Sequence, residues 1–271
     1  MVRQAGIVAR RLIRVRQTAL SVLILVLALP GCVQFPPDAR KKLVSCAEAY
    51  RTGSYTHARQ ELSVLIDHHS EKPAVAEAFY LRGLCELQLR NRLAGRKDLL
   101  AAASRAERKD LKAKANVTLG CMAYDDEDYV LAVRHLEGAV TELPERPPLD
   151  ELALRLGTSL QRAGRWQDAR PVFARLLARS KTGPSAEMAR RRYNWPHEYF
   201  AIQSGAFRSS DNARKRVAEL QKAGLQAACR PEDNSMRGLH VVYVGRYERW
   251  PEAERQLRRV QKVEPQAVIV P

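Results

Sequence analysis

The residues that could carry out chemistry in this chain do not form a catalytic arrangement. Its six histidines are scattered, and no HExxH, GxSxG or phosphate-cradling glycine-rich loop is present. The adjacent pair His68 and His69 closes a predicted helix and is typical of a surface pair, with a metal site as the alternative. The sequence therefore predicts a non-enzymatic protein with no cofactor and no bound metal.

One cysteine, Cys32, stands in a context that favours covalent modification. An arginine-rich start precedes an apolar run over residues 19–29. That run is shorter than the about 20 residues of a membrane-spanning helix and fits a signal peptide. Leu29-Pro30-Gly31-Cys32 resembles the lipobox of bacterial lipoproteins, in which the cysteine is lipidated and becomes the first mature residue. We predict a signal peptide over 1–31, lipidation of Cys32 and a tether over 32–39, with an uncleaved inner-membrane anchor as the alternative.

The residue after this cysteine bears on localisation. Val33 stands there, and the absence of aspartate resembles lipoproteins that are sorted to the outer membrane. Two or three acyl chains would anchor the protein stably, because each buried methylene contributes about 0.8 kcal/mol. The prediction is a periplasmic protein held at the membrane, the outer membrane in particular, by a lipid anchor.

The charge of the chain favours anionic partners. The formal net charge is +16, and the five arginines of residues 1–31 leave +11 after removal of the signal peptide. Lipid head groups, cell-wall polymers, acidic proteins and nucleic acids all fit a basic surface. Export, together with the absence of the aromatic RNP pattern, argues against nucleic acid.

The remaining cysteines match no zinc-binding spacing. Small buried thiols are the favoured interpretation, with a disulfide among the first three as the alternative in an oxidising compartment. They are Cys46, Cys85, Cys121 and Cys229.

A period of 37 residues runs through the first two thirds of the chain. Each unit contains two stretches with apolar residues at three- and four-residue spacing, as in amphipathic helices. Gly53 and Gly164 mark turns, and small residues such as Gly120 would let two helices approach closely. The sequence predicts an all-α helical-repeat solenoid over residues 40–181. The repeating positions include Cys46, Gly83, Gly120 and Gly157; Tyr55, Arg92, Tyr129 and Trp166; and Leu62, Leu99, Leu136 and Phe173.

The fourth unit, with Leu156-Gly157-x-x-Leu160 and Gly164-x-Trp166-x-x-Ala169, resembles the tetratricopeptide repeat. In the second unit Arg92 stands at an aromatic position and Gly95 replaces alanine, which predicts looser packing or an altered turn. The family repeat has 34 residues, so longer loops or a related solenoid are indicated. The resemblance implies an unidentified protein partner on a concave surface. Candidates to line that surface, with packing between units as the alternative, are Tyr50, Tyr80 and Tyr124.

The last third of the chain changes its periodicity. A short basic helix within residues 182–198 is predicted to link the two domains and to cap the solenoid. The order βαββαβ then predicts a small ferredoxin-like α+β domain over 199–271, with both helices on one face of an antiparallel sheet and the other face free. Strands are predicted at 199–203, 225–230, 239–244 and 267–270, and helices at 210–223 and 251–263.

This last segment resembles the SPOR family. SPOR domains bind glycan strands of peptidoglycan stripped of stem peptides and often concentrate at division septa. The resemblance implies binding of glycan strands and a location at the division site. It is carried by Ile202-Gln203-Ser204-Gly205-Ala206-Phe207, Asn212-Ala213, Gly224, Val242-x-Val244-Gly245 and Ala253.

Strand alternation selects the side chains that could touch a glycan. If Ile202, Val242 and Val244 lie under the helices, the free face carries Tyr199, Ala201, Gln203, Val241 and Tyr243. The Gln203 amide can donate and accept hydrogen bonds, and tyrosine rings offer apolar area to a pyranose. Ala206 and Val241 stand where the family often has serine and arginine. The predicted site is Gln203, Tyr199, Tyr243, Ala206 and Val241, with Arg208, Arg230, His240 and Arg246 at the rim as solvated charges or compensating contacts.

Two functions remain. The first is an envelope lipoprotein that binds glycan strands at one end and a protein partner through its repeats. The alternative is a solenoid lipoprotein that aids outer-membrane assembly or transport, in which the C-terminal module binds protein.

Overall fold

The structure is a computed structural model that describes residues 35–144, 148–231 and 238–271. The described chain forms two compact units, residues 35–159 and Leu160–Pro271. The predicted signal peptide and the lipidation site Cys32 lie outside the described residues. Among the described helices, none is long and apolar enough to cross a membrane.

Paired α-helices build the repeat region, as the sequence predicts. The second helix of each pair begins at Tyr55, Arg92, Tyr129 and Trp166, so the 37-residue period of the sequence is also the period of the helices. A 3₁₀ turn, Val140–Glu142, follows the third pair. The helices are α1 (Pro37–Arg51), α2 (Tyr55–His68), α3 (Val75–Gln88), α4 (Arg92–Arg105), α5 (Lys109–Asp125), α6 (Tyr129–Ala139), α7 (Leu149–Arg162), α8 (Trp166–Arg179) and α9 (Pro184–Tyr193).

Small residues bring the helices of a pair close together, which confirms the prediction. A methyl group placed on Gly120 of α5 lies 2.5 Å from Cγ of Leu136 in α6. In the second pair, a methyl group on Gly95 lies 3.0 Å from the carbonyl oxygen of Gly83. Looser packing of the second unit is therefore a wrong prediction, because its two glycines let the backbones of α3 and α4 approach.

Arg92, which stands where other units carry an aromatic ring, makes polar contacts instead. Its Nη2 donates a hydrogen bond of 2.7 Å to the backbone oxygen of Met122. The same nitrogen lies 2.7 Å from the carboxylate of Asp126. Met122 lies in the last turn of α5 and Asp126 directly follows that helix, so the arginine links the second unit to the third.

The turn between paired helices uses a left-handed backbone in all four units. Gly53, Arg90, Glu127 and Gly164, each 37 residues from the next, have φ values of +86°, +64°, +60° and +80°. Glycine adopts this conformation freely, whereas a residue with a Cβ pays roughly 1–2 kcal/mol. The second and third units therefore hold the same turn under strain.

Replacing Glu127 with glycine is expected to raise the free energy of unfolding by about 0.5 kcal/mol, since relief of backbone strain exceeds the extra entropy that glycine loses. Urea denaturation of the purified protein, followed by far-ultraviolet circular dichroism, measures the change. Glu127→Ala removes the same carboxylate but keeps the Cβ. A gain for alanine as large as that for glycine would refute the backbone explanation.

Three cysteines lie inside the repeat region. Cys46, Cys85 and Cys121 are buried, and Cys229 of the C-terminal domain is partly exposed. Burial raises the pKa of Cys46, that of Cys85 to about 12 and that of Cys121 to about 11. As thiols, these groups would be poor nucleophiles near neutral pH.

The C-terminal domain has the predicted βαββαβ order. Its sheet is antiparallel, with the strand order β2-β3-β1-β4. Ile202, Val242 and Val244 form a core with the helix residues Leu220 and Val260, which confirms the predicted helix-side face. The elements are β1 (Phe200–Phe207), α10 (Ser210–Lys222), β2 (Ala227–Pro231), β3 (His240–Tyr247), α11 (Trp250–Val260) and β4 (Val268–Val270).

The last repeat helices belong to the same compact unit as the sheet. The ring of Trp166, at the start of α8, lies 4.7 Å from the ring of Phe200, at the start of β1. Phe200 is fully buried and also contacts the ring of Trp250 at 5.3 Å. Arg192 of α9 donates to Gln161, 2.9 Å away. The compact unit thus begins before the linker that was predicted at residues 182–198.

Candidate functional site

Strand pairing brings the predicted site residues of β1 and β3 together. Gln203 lies directly opposite Tyr243, and Ala206 lies opposite Val241. Gln203 and Ala206 are an odd number of residues apart, but an irregularity in the pairing between Gln203 and Gly205 returns both to one face. That face, opposite the helices, is here called the outer face. It carries Ala201, Gln203, Ala206, Ala228, Arg230, Val241, Tyr243, Val268 and Val270.

The outer face was predicted to be free, and this is wrong for its centre. Residues 194–199, here called the linker strap, fold back over it. Trp195 and Tyr199 pack against Ala201, Val241 and Tyr243, which are only 2%, 0% and 6% exposed. The indole nitrogen of the strap has a partner within the strap itself, because Nε1 of Trp195 donates a hydrogen bond of 2.8 Å to the backbone oxygen of Tyr199.

Tyr199 therefore has a different place from the one predicted. It precedes β1, which begins at Phe200. Its ring is nearly perpendicular to that of Trp195, with centroids 6.1 Å apart, and Trp195 in turn meets the ring of Tyr243 at 5.8 Å. The two predicted tyrosines thus belong to one aromatic group that Trp195 completes.

Polar and exposed groups remain beside this aromatic group. Gln203 is half-buried, and its amide makes no hydrogen bond within the described ranges. The adjacent Ser204 is 7% exposed, and its buried hydroxyl has no partner among the described residues. Ala206 and Ala228 are exposed, and Val268 is 41% exposed. The buried Ser204 hydroxyl is closed to solvent, so the accessible polar group beside the rings is the Gln203 amide. An amide with free hydrogen-bonding capacity beside aromatic rings suits a polar ligand with apolar faces, such as a sugar.

Two arginines and two rings form a second feature, here called the arginine–aromatic cluster: Arg230, Arg246, His197 and Tyr199. His197 stacks on Tyr199 with centroids 4.7 Å apart and planes 13° apart. Nη1 of Arg230 donates 2.6 Å to the Tyr199 hydroxyl and lies 3.0 Å from Nε2 of His197. The Cζ of Arg246 lies 5.4 Å from the centre of the Tyr199 ring.

The positive charge of this cluster affects the pKa of its histidine. Burial lowers the pKa of His197, and the positive charges of Arg230 and Arg246 lower it further. A neutral imidazole with its proton on Nδ1 can accept the Arg230 hydrogen bond at Nε2. The neutral form of His197 therefore fits its position against Arg230 and Arg246.

Sequence reasoning missed Trp195 and His197, which lie in the predicted linker. The available signal was the density of aromatic residues around Trp195, since linkers are usually polar and small. Arg230 and Arg246 were placed at the rim, but their convergence on Tyr199 depends on the strap. Within the described ranges, no three His, Cys, Asp or Glu side chains lie close enough to hold a metal ion.

The tyrosines proposed for a groove in the repeats are packed. Tyr50 is 5% exposed and meets Tyr55 edge-on at 5.3 Å. Burial raises the pKa of Tyr80, and Tyr124 lies against Tyr129 and beneath Arg155. The two ring pairs lie within single hairpins, and the contact of Tyr124 with Arg155 joins the third unit to the fourth, so only this last contact matches the alternative of packing between units.

The fold and site define a class: a helical-repeat protein joined to a small α+β domain with a four-stranded antiparallel sheet. The α+β domain is a SPOR domain, because residues 196–271 match the SPOR domain model. Residues 154–193 match a tetratricopeptide repeat model. Both are non-catalytic binding modules, and SPOR domains occur in periplasmic or envelope proteins.

Two solved structures are similar to part of this chain. MamA AMB-1 is 18% identical over 58% of this chain and 79% of its own, with a TM-score of 0.47. A thermophilic TPR protein in Thermus thermophilus is 20% identical over 57% and 79%, with a TM-score of 0.35. No curated protein matches the chain.

Proposed function

We propose that the protein is a non-catalytic envelope lipoprotein that binds peptidoglycan glycan strands through its SPOR domain and a protein partner through its helical repeats. Lipidation of Cys32 holds it in the periplasm at the outer membrane. Binding to stripped glycan concentrates it at the division site.

The SPOR match over residues 196–271 carries this proposal. It is supported by the pairing of Gln203 with Tyr243 and by the free hydrogen-bonding capacity of the half-buried Gln203 amide beside the aromatic group. Sugar hydroxyl and N-acetyl groups need such donors and acceptors, and pyranose faces need apolar area.

One observation favours the alternative function, a solenoid lipoprotein that aids outer-membrane assembly or transport. The linker strap covers Val241 and Tyr243, so less of the outer face is available to a glycan than in an uncovered sheet. In this alternative the C-terminal domain binds protein rather than glycan.

A sedimentation assay separates the two. Purified mature protein is mixed with intact sacculi and with sacculi whose stem peptides an amidase has removed. We expect retention on the stripped sacculi. Equal absence of retention on both preparations would reject the glycan proposal in favour of the alternative.

Gln203→Ala is expected to weaken retention on stripped sacculi by roughly 2- to 12-fold, the equivalent of one neutral hydrogen bond. Its melting temperature should stay that of the wild type, because the amide has no partner within the described ranges to lose. Gln60→Ala, at an exposed glutamine of α2 in the repeat region, is the matched control and should bind as the wild type does. Unchanged retention of Gln203→Ala would remove this residue from the site.

A further inference from the structure

The arginine–aromatic cluster contains two cations, Arg230 and Arg246. Neither Arg230 nor Arg246 forms an ion pair with a carboxylate of the described residues. Both converge on one ring, with their Cζ atoms 6.0 Å and 5.4 Å from the centre of Tyr199. Two like charges gathered in this way repel each other, and an anion placed between them offsets that repulsion.

Arg230 is held in a fixed orientation. Its Nη1 donates to the Tyr199 hydroxyl at 2.6 Å and lies 3.0 Å from Nε2 of His197, which accepts when the imidazole proton is on Nδ1. Its Nε and Nη2 have no hydrogen-bond partner within the described ranges. These two nitrogens form the edge of the guanidinium that binds a carboxylate through two parallel hydrogen bonds.

The cluster adjoins the predicted sugar contacts. Arg230 lies opposite Val241 on the neighbouring strand, and the next cross-strand row on this face is Ala228, Tyr243 and Gln203. Rows on one face are two residues, or about 7 Å, apart along a strand. A sugar at Gln203 and Tyr243 therefore brings a substituent of its ring within reach of Arg230.

We propose that Arg230 and Arg246 form a carboxylate subsite that binds the free lactyl carboxylate of muramic acid in the glycan strand. This rests on the proposed glycan binding. An amidase hydrolyses the amide bond between the lactyl group and the stem peptide, and water supplies the oxygen and protons that leave a free carboxylate and a free amine. Only a stripped sugar then presents the anion, so the subsite discriminates stripped from intact strands by charge.

The test compares one polymer in two charge states. Stripped sacculi are used directly or after coupling of their carboxylates to methylamine with a carbodiimide, which leaves a neutral amide. We expect mature wild-type protein to bind the amidated sacculi at least about tenfold more weakly, as for loss of a charge-assisted bidentate contact. The Arg230→Gln Arg246→Gln double variant should bind both polymers equally and weakly.

Two further variants guard against a purely structural effect. Arg230→Lys keeps the charge but loses the bidentate geometry, so it should fall between wild type and Arg230→Gln. Arg255→Gln removes an exposed arginine from α11, on the helix side of the domain, and should bind as the wild type does. Near-ultraviolet circular dichroism of the Trp195 environment should be the same in all variants, and a change confined to the Arg230 variants would assign this arginine to holding the strap instead.

The outcomes separate the subsite from the function on which it rests. Equal wild-type binding to both polymers overturns the carboxylate subsite and leaves glycan binding intact. No binding to either polymer overturns the proposed function itself. Phosphatidylglycerol vesicles are the third probe. If the wild type binds them and the double variant binds neither the vesicles nor the sacculi, the cluster recognises phosphate and the carboxylate subsite is overturned.

Discussion

Asp98→Asn is expected to lower the free energy of unfolding by about 3 kcal/mol, because it removes the carboxylate that pairs with both edge nitrogens of the largely buried Arg82. Nε and Nη2 of Arg82 donate to the two carboxylate oxygens at 2.7 Å and 2.8 Å. The side chains are 20% and 7% exposed, and the hydrogen bond to Asp98 holds the pKa of Arg82 above its usual value. Arg82 also donates 3.1 Å to Ser63, so the pair joins α2, α3 and α4.

The chain offers a matched control for this prediction. Arg51 and Glu48 form an equally close bidentate pair, 2.9 Å and 2.6 Å, but their side chains are 70% and 55% exposed. Glu48→Gln should therefore leave the urea midpoint unchanged, because water replaces the lost contact. Equal losses in the two variants would show that burial does not set the strength of these pairs.

The repeat region was predictable because its physical constraint recurs. Each hairpin must place a small residue where two helices cross and an apolar residue opposite it, so Gly120 and Leu136 have counterparts one period away in either direction. The left-handed turn between the paired helices was not predictable in every unit. Arg90 and Glu127 carry no sign of a left-handed backbone, and the geometry shared with Gly53 emerges only once the φ values are known.

The sequence predicted which residues lie on each face of the sheet, but not that the linker strap covers the outer face. Alternation assigned Ile202, Val242 and Val244 to the helix side because strands have a period of two residues. Alternation says nothing about what a neighbouring segment does, and Trp195 reaches the outer face from outside the sheet. Cross-strand partners such as Arg230 and Val241 likewise depend on the register of the strands. The apolar pattern shows which face of a strand is buried, but it does not identify which residue lies opposite which.

The second large effect is expected at the closest helix crossing. Gly120→Ala should lower the free energy of unfolding by about 2 kcal/mol, because its methyl group meets Cγ and Cδ2 of Leu136 at 2.5 Å and 2.7 Å. Leu136 is fully buried, so its side chain cannot swing into solvent to make room. The overpacking exceeds the gain of up to about 1 kcal/mol that alanine brings to a helix.

Gly138→Ala in the partner helix α6 isolates that helix-forming gain. A methyl group there has open space around it, and the position is exposed. The variant should raise the free energy of unfolding by about 1 kcal/mol, so that two identical substitutions in one hairpin have opposite signs. Urea denaturation with detection of helix content measures both. Stabilisation by Gly120→Ala would mean that α5 and α6 can move apart at little cost. Close helix packing would then not explain why each repeat has a small residue at this position.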